Sequence, residues 1–372
     1  MLRLNPVLDE LGSYPFTRLA AAKRAVADRG VELVDFGIGE PREETPEFIR
    51  RALADGIDRV SLYPTAEGLP ELREAIAAWT ARRFGARLDP ATEVVPTLGS
   101  KEAVFHLAQV VAGERVVVTA PGYPVPERGA RFAGKEVVRV AMPPDLDALD
   151  LDGVAILWLN YPNNPTGATA PEGLYERAAQ LAREHGFVLA SDEAYSELYF
   201  GVPPRSALEL QDRRNVLVFN TLSKRSSMPG YRAGFAAGDP ELIAALKRYR
   251  PNVGVAPQHM VQRAAIAAWN DEEHVEEVRG VYRAKRDVVL PALEACGLRH
   301  AGGDATFFLW LAVPGGDDEA FAMDLLEHGV VCAPGSFFGH EGAGHVRFAL
   351  VPTVAQCERA ADVLSRWRAA RR

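Results

Sequence analysis

Lysine is scarce in this chain. Six of its 42 basic residues are lysines, Lys23, Lys101, Lys135, Lys224, Lys247 and Lys285, which leaves 36 arginines. Lys224 closes Thr221-Leu-Ser-Lys224, directly after an apolar run, and Arg232 follows eight residues later in Pro229-Gly-Tyr-Arg-Ala-Gly234. An amine placed there can form a Schiff base with a carbonyl compound. Four other groups of residues could act with it. Gly99-Ser100-Lys101 stands between a strand candidate and a helix candidate, where backbone N–H groups can receive a phosphate. Asn160-Tyr-Pro-Asn-Asn-Pro-Thr-Gly167 follows a second apolar run and presents Asn164. Ser191-Asp-Glu-Ala-Tyr195 offers a carboxylate, Asp192, and a phenol, Tyr195. His345-Val-Arg347 lies near the end of the chain, where a guanidinium can fork onto a carboxylate.

The chemistry that uses all of these is that of pyridoxal phosphate (PLP). The cofactor needs a lysine, supplied by Lys224, and an acid that keeps the pyridine ring protonated, supplied by Asp192. Asn164 and Tyr195 can donate to its ring oxygen. Gly99, Ser100 and Lys101 can hold its phosphate at a helix N-terminus, with Arg232 adding a charge-assisted contact.

These groups need a frame, and the sequence describes one. Short, nearly continuous apolar runs at Glu93–Pro96, Arg115–Thr119, Glu136–Val140, Val154–Leu159, Phe187–Ser191 and Val216–Asn220 read as strands buried on both faces. Helix candidates at Lys101–Val111, Pro126–Phe132, Pro171–His185 and Pro240–Tyr249 alternate with them, which predicts an α/β, mostly parallel sheet. In such sheets ligands sit beyond the carboxyl ends of the strands, where four of the five groups fall. Downstream, Pro257–Trp269 and Glu273–Ala295 read as long helices. A strand at Thr306–Val313, a helix at Asp318–His328, short strands at Val330–Cys332 and His345–Leu350 and a helix at Val354–Arg371 then form an α+β unit. The expected organisation is a large cofactor domain over 46–284 and a smaller, discontinuous domain made of 1–45 and 285–372.

Composition narrows the class further. The chain has 372 residues, 48% hydrophobic and 25% charged, which describes a folded protein of about two domains. A net charge of −8 argues against a surface built for nucleic acid or anionic lipid. No apolar run reaches the roughly 18 residues of a membrane span. The N-terminus lacks a secretory pattern, and a cytoplasmic setting is expected. Cys296, Cys332 and Cys357 show neither disulfide nor zinc spacing. Gly37-Ile-Gly39 runs into Pro41 and is no dinucleotide fingerprint. No GxSxG or HExxH occurs, and no two of the eight histidines stand three or four apart, so neither a metal nor a Ser-His-Asp hydrolase reading has support.

Taken together, the motifs resemble those of class I/II aminotransferases of PLP fold type I, over nearly the whole chain. The resemblance implies a seven-stranded, mostly parallel sheet between helices and a homodimer with shared active sites. It implies that Lys224 carries the cofactor and moves the proton, and that Asp192 pairs with the ring nitrogen. By the same resemblance Tyr123, in Pro121-Gly-Tyr-Pro124, stacks on the ring, and Ser100, Lys101, Thr221 and Arg232 surround the phosphate. Tyr63, in Tyr63-Pro-Thr-Ala-Glu-Gly68, is similar to a tyrosine that reaches the neighbouring subunit's phosphate. Arg347 is similar to the arginine that binds the substrate α-carboxylate, with Gly39 lending a backbone N–H.

Three stretches are more particular: Leu4-Asn-Pro-Val-Leu-Asp9 with Tyr14-Pro-Phe16 and Phe36-Gly-Ile-Gly-Glu-Pro41, Ser223-Lys-Arg-Ser-Ser-Met-Pro-Gly230, and Ala267-Ala-Trp-Asn-Asp-Glu-Glu-His-Val275 leading to Tyr282-Arg-Ala-Lys285. They resemble succinyldiaminopimelate aminotransferases, which exchange an amino group between the glutamate/2-oxoglutarate pair and a succinylated amino-keto acid in lysine biosynthesis. The chain departs from that pattern at Tyr249-Arg-Pro-Asn-Val-Gly254. Arg250-Pro251 is similar to the segment from which related transaminases send an arginine across the dimer to a distal carboxylate, which makes Arg250, and more weakly Arg225, candidates for that group. The alternatives are an aspartate-type or LL-diaminopimelate aminotransferase, a C–S β-lyase of the same fold, and a non-catalytic PLP-binding regulatory module.

Overall fold

A computed structural model describes residues 2–10 and 15–371. Tyr14, in the first of the three particular stretches, lies outside them. A two-residue strand β1 (Val34–Asp35) comes first. Then follow β2 (Val94–Thr97), β3 (Arg115–Ala120), β4 (Glu136–Ala141), β5 (Val154–Asn160), β6 (Val188–Asp192), β7 (Val216–Thr221) and β8 (Gly234–Gly238). These seven form one sheet in the order β2-β8-β7-β6-β5-β3-β4. The run from β7 to β4 is parallel, and β8 is antiparallel to both its neighbours.

The six strands expected from apolar runs are present within a residue or two. β8 was not among them. Its sequence, Gly-Phe-Ala-Ala-Gly, is buried throughout yet has little strand propensity. Glycine is needed there for space. A Cβ on Gly234 would lie 2.5 Å from the Asn220 carbonyl oxygen, and one on Gly238 2.2 Å from that of Val216. β4, expected to be buried on both faces, is instead the partly exposed edge strand.

Two apolar layers cover the sheet. One holds Trp79, Tyr175, Phe187 and Trp269. The other holds Val104, Leu107, Ile156, Trp158, Ile243 and Leu246. In β5, Ala155 and Ile156 face the same layer, and the β3–β5 register shifts at the matching place. Burying one such large side chain contributes about 1.5–3 kcal/mol, so the two layers fix the strand ends firmly.

β9 (Arg299–His300), β10 (Phe308–Ala312), β12 (Ala333–Pro334) and β13 (His345–Ala349) form an antiparallel sheet, while β11 (Val330–Val331) pairs in parallel with β1. The N-terminal segment thus packs with the C-terminal unit: Val34 and Phe36 share a core with Phe307, Leu309, Phe348 and Leu364. The helix Glu273–Ala295 contributes Val278, Tyr282, Val289 and Leu293 to that core, so a boundary at residue 284 falls inside a helix.

Candidate active site

β5, β6 and β7 end on Asn160, Asp192 and Thr221, and these three line a cavity of about 620 Å³. Two asparagine amides tie the strand ends together. Asn160 Nδ2 donates to the Asp192 carbonyl at 2.9 Å, and Asn220 Nδ2 donates to the Glu193 carbonyl at 3.2 Å. Neither asparagine was singled out from the sequence for a role, although Asn160 opens the motif containing Asn164.

Asp192 is 4% exposed, and its Oδ1 accepts the Ala194 N–H at 3.3 Å. Burial raises its pKa to about 6, against the lowering effects of that N–H and of Lys224. A cationic partner inside the cavity would hold it ionised. Lys224 lies in the short helix Leu222–Arg225, whose N-cap is Thr221. Its Nζ donates to the Gly39 carbonyl at 3.0 Å. Burial, then the positive charges of Arg232 and Arg347, push its pKa down to about 8. A lysine so placed is largely neutral in mildly alkaline solution, as a nucleophile or base must be.

A cradle that could receive a phosphate is built around the helix Gly99–Val110, which has no side-chain N-cap and so leaves its first N–H groups for a ligand. Gly99 has φ +64°, and a Cβ there would sit 2.5 Å from Arg232 Nη2. Gly234 allows an equally close approach from behind, its Cβ position being 3.1 Å from Ser100 N. Arg232 donates to the Pro229 and Leu98 carbonyls at 2.9 and 3.3 Å and reaches Ser223 Oγ at 3.5 Å. Thr221 Oγ1 donates to the Ala233 carbonyl at 3.0 Å. Ser223, missed in the sequence, lines the cavity beside it. The Lys101 side chain also lines the cavity, with its pKa lowered by burial and by Arg128 and Arg232.

Arg347 enters from β13. It is 4% exposed and lies over the Phe308 and Phe338 rings at 4.3 and 4.5 Å. It donates to Asn164 Oδ1 at 2.9 Å and to the Gly37 carbonyl at 2.8 Å. Its claim on Asn164 Oδ1 leaves the amide nitrogen of Asn164 as the donor for a ring oxygen. Tyr195 packs edge-on against Phe307 and Phe308, and burial raises its phenol pKa, so it stays a donor. Tyr123 and Gly39 also line the cavity. Gly39 must be glycine for space, since a Cβ would lie 2.7 Å from the Phe308 ring. The observed contact of Gly39 is through its carbonyl to Lys224, rather than through the N–H expected to meet substrate.

Three expected residues lie elsewhere. Tyr63 is 101% exposed and outside the cavity of its own chain. Arg250 is fully buried, donating to Glu102 Oε1 at 3.0 Å and to the Ala66 carbonyl at 2.7 Å. Arg225 is buried over the Trp79 and Trp269 rings and bonds the Ala268 carbonyl and Glu272. Neither arginine lines the cavity of its own chain. Their charges are already matched inside the protein.

The donor set fits PLP at each of its polar ends: an uncapped helix and Arg232 for phosphate, Asp192 for the ring nitrogen, Asn164 and Tyr195 for the ring oxygen, Lys224 for the carbonyl carbon. This is the site of a PLP-dependent enzyme of fold type I. Its family follows from comparison: the model for aminotransferase class I and II matches residues 31–364, and the chain belongs to that family. It is similar to the LL-diaminopimelate aminotransferases of Nitratidesulfovibrio vulgaris (38% identity, 96% of this chain and 97% of the relative) and Aquifex aeolicus (39%, 95% and 96%). An aminotransferase from Neisseria meningitidis superposes with a TM-score of 0.91 at 37% identity, covering 98% of this chain and 100% of that one. Thermus thermophilus aspartate aminotransferase with maleate gives 0.89 at 31% identity, with 98% and 100% covered. The protein is a PLP-dependent aminotransferase. Among the described residues no helix is long and apolar enough to cross a membrane, and no cluster of potential metal ligands occurs.

Proposed function

We propose that this aminotransferase acts on substrates with more than one carboxylate, exchanging an amino group between glutamate and a diaminopimelate-type acceptor in lysine and cell-wall precursor synthesis. One observation carries the reading. Besides Lys224, six basic side chains line the cavity, Lys101, Arg128, Arg131, Arg139, Arg232 and Arg347, against two carboxylates, Glu127 and Asp192, in a chain of net charge −8. Arg232 serves the phosphate and Arg347 the α-carboxylate. Arg131 and Arg139 bind Glu127 at the cavity wall, and with Arg128 they give this end of the cavity an excess of positive charge that would attract a second carboxylate.

Bound in the cavity, PLP supplies a carbonyl that joins amines and a protonated ring that accepts electron density. The chain's residues do the rest. Arg347, held flat between Phe308 and Phe338, grips the α-carboxylate and sets the direction of the substrate Cα–H bond. Lys224 Nζ, in the neutral form that prevails above its pKa of about 8, would take the proton from Cα as general base and give a proton back as general acid. Asp192 would keep a proton on the ring nitrogen, and Asn164 and Tyr195 would hold the ring oxygen.

The named relatives favour LL-diaminopimelate itself as the acceptor pair. The stretches at 223–230 and 267–275 favour the succinylated acceptor as a second reading. Exposed Ile57, Val60 and Leu62 beside Tyr63 support a homodimer in which Tyr63 serves the neighbouring site. The deciding experiment supplies glutamate as donor and compares tetrahydrodipicolinate, N-succinyl-2-amino-6-oxopimelate and oxaloacetate by kcat/KM. Preference for tetrahydrodipicolinate is the expected result. Preference for the succinylated acid selects the second reading, and preference for oxaloacetate, or pyruvate release from a β-substituted donor, refutes both.

A further inference from the structure

The sequence offered no Ser-His-Asp arrangement, yet the fold builds one behind the catalytic lysine. Ser226 Oγ lies 2.8 Å from His274 Nε2, and His274 Nδ1 lies 2.6 Å from Asp271 Oδ1. The His274 backbone N–H also donates to Asp271 Oδ1 at 3.0 Å. Burial keeps the imidazole neutral against the opposing pull of Asp271, so Nδ1–H donates to the carboxylate and Nε2 accepts the serine hydroxyl. Ser226 is fully buried and does not line the cavity, so its hydroxyl is no nucleophile.

What the relay touches is the turn that carries Lys224. That turn spans only Leu222–Arg225, and Ser226 closes it, its N–H donating to the Leu222 carbonyl at 3.2 Å. So short a helix cannot hold its own shape. It is fixed from outside on each flank. Thr221 Oγ1 accepts the Ser223 N–H at the front. Arg225 bonds Ala268, Asp271 and Glu272 behind it. Ser227, at φ +46°, offers its carbonyl to Thr45 Oγ1 at 2.6 Å. Phe48 packs edge-on against the His274 ring at 5.4 Å. A strained residue persists only where its surroundings over-determine it. The two stretches 223–230 and 267–275 are therefore one physical contact, a latch between the lysine turn and the start of the helix Glu273–Ala295.

We propose that Ser226, His274 and Asp271 are positioning residues for the aminotransferase reaction: their buried hydrogen-bonded relay locks the Leu222–Arg225 turn so that the Lys224 amine stays aimed at the cofactor. The proposal holds whichever acceptor the enzyme uses. Its test is made on the cofactor-loaded, full-length enzyme with any active amino donor. Ser226→Ala and His274→Leu are each expected to lower kcat on the order of tenfold, since sub-ångström misplacement of a reacting group costs rate rather than binding. KM should change by less than about twofold. Both should move the pH midpoint of the absorbance band of cofactor joined to Lys224, a signature that general loosening does not produce. The double variant should behave like His274→Leu alone, because that substitution already removes the Ser226–His274 bond. His274→Gln, whose amide oxygen can accept the Ser226 hydroxyl, should restore part of the midpoint. An unchanged midpoint in Ser226→Ala, whatever its Tm, overturns the proposal. So do losses that add in the double variant, or a Gln variant no closer to wild type than the Leu variant.

Discussion

A buried amine tuned for chemistry should cost the folded protein stability, and Lys224 allows the cost to be measured. The surrounding protein lowers its pKa from 10.5 to about 8, first by burial and then through the charges of Arg232 and Arg347. At ~1.4 kcal/mol per pH unit, holding the ammonium form there costs roughly 3 kcal/mol. The amine borders the cavity and meets water, so roughly 2 kcal/mol is the share expected in a folding measurement. The sign follows from linkage. Below pH 8 both folded and unfolded chains carry the proton, and the folded apoprotein bears the full penalty. Between pH 8 and 10.5 the folded chain has lost the proton and the unfolded chain still holds it, so stability rises with pH; above 10.5 the penalty is gone. Lys224→Met keeps the stem and removes the amine, together with its bond to the Gly39 carbonyl, which is worth about 1 kcal/mol at any pH. The Met apoprotein should therefore be about 1 kcal/mol more stable than wild type at pH 7 and about 1 kcal/mol less stable near pH 10.5. Urea denaturation of both apoproteins across that range reads the swing directly. A difference that stays constant with pH would falsify the claim that this lysine is held partly discharged by its surroundings. The same variant, loaded with cofactor, should show neither the lysine-bound absorbance band nor measurable turnover.

Arg347→Lys should lower kcat/KM on the order of 100-fold for every amino donor alike, because a point charge cannot fork onto the α-carboxylate and the Asn164 and Gly37 acceptors lose their partner; steady-state kinetics with two chemically different donors checks it, and an effect confined to dicarboxylic donors would reassign the residue. Gly99→Ala forces a β-carbon against Arg232 at a positive φ, so cofactor affinity should fall on the order of tenfold, read by titrating the apoprotein with PLP. Arg250→Ala takes the guanidinium from the carboxylate of Glu102, which keeps the Leu98 N–H, so unfolding free energy should drop by about 1.5–3 kcal/mol while KM for dicarboxylic substrates stays unchanged; a raised KM with normal stability would show Arg250 to be a substrate ligand.

The sequence was most legible where one physical demand acts locally. A strand buried on both faces needs consecutive apolar residues, and the runs at β3, β5, β6 and β7 announced themselves for that reason. Four of the five groups of cavity residues were legible because they follow the end of such a run, where a parallel sheet delivers side chains to a ligand. β8 was silent because its residues are chosen for smallness: Gly234 and Gly238 admit the backbone of β7 and of the phosphate-binding turn, and smallness leaves no periodic signal. Arginine shows the same limit from the other side. Arg347, Arg250 and Arg225 read alike as candidate carboxylate ligands, and what separates them is the acceptor each one meets across the fold. Arg250 finds Glu102, 148 residues away, and Arg225 finds Glu272 and two backbone carbonyls, so both charges are matched within the protein. Arg347 meets Asn164, Gly37 and two aromatic faces at the wall of the cavity. The Ser226–His274 contact, spanning 48 residues, was hidden for the same reason. Spacing rules detect ligands that share one helix or one loop, whereas this relay joins two helix ends that only the tertiary fold brings together. A function-bearing arginine in a chain with 36 of them is therefore identified by the groups it meets across the fold, and that is a property of the fold rather than of any motif.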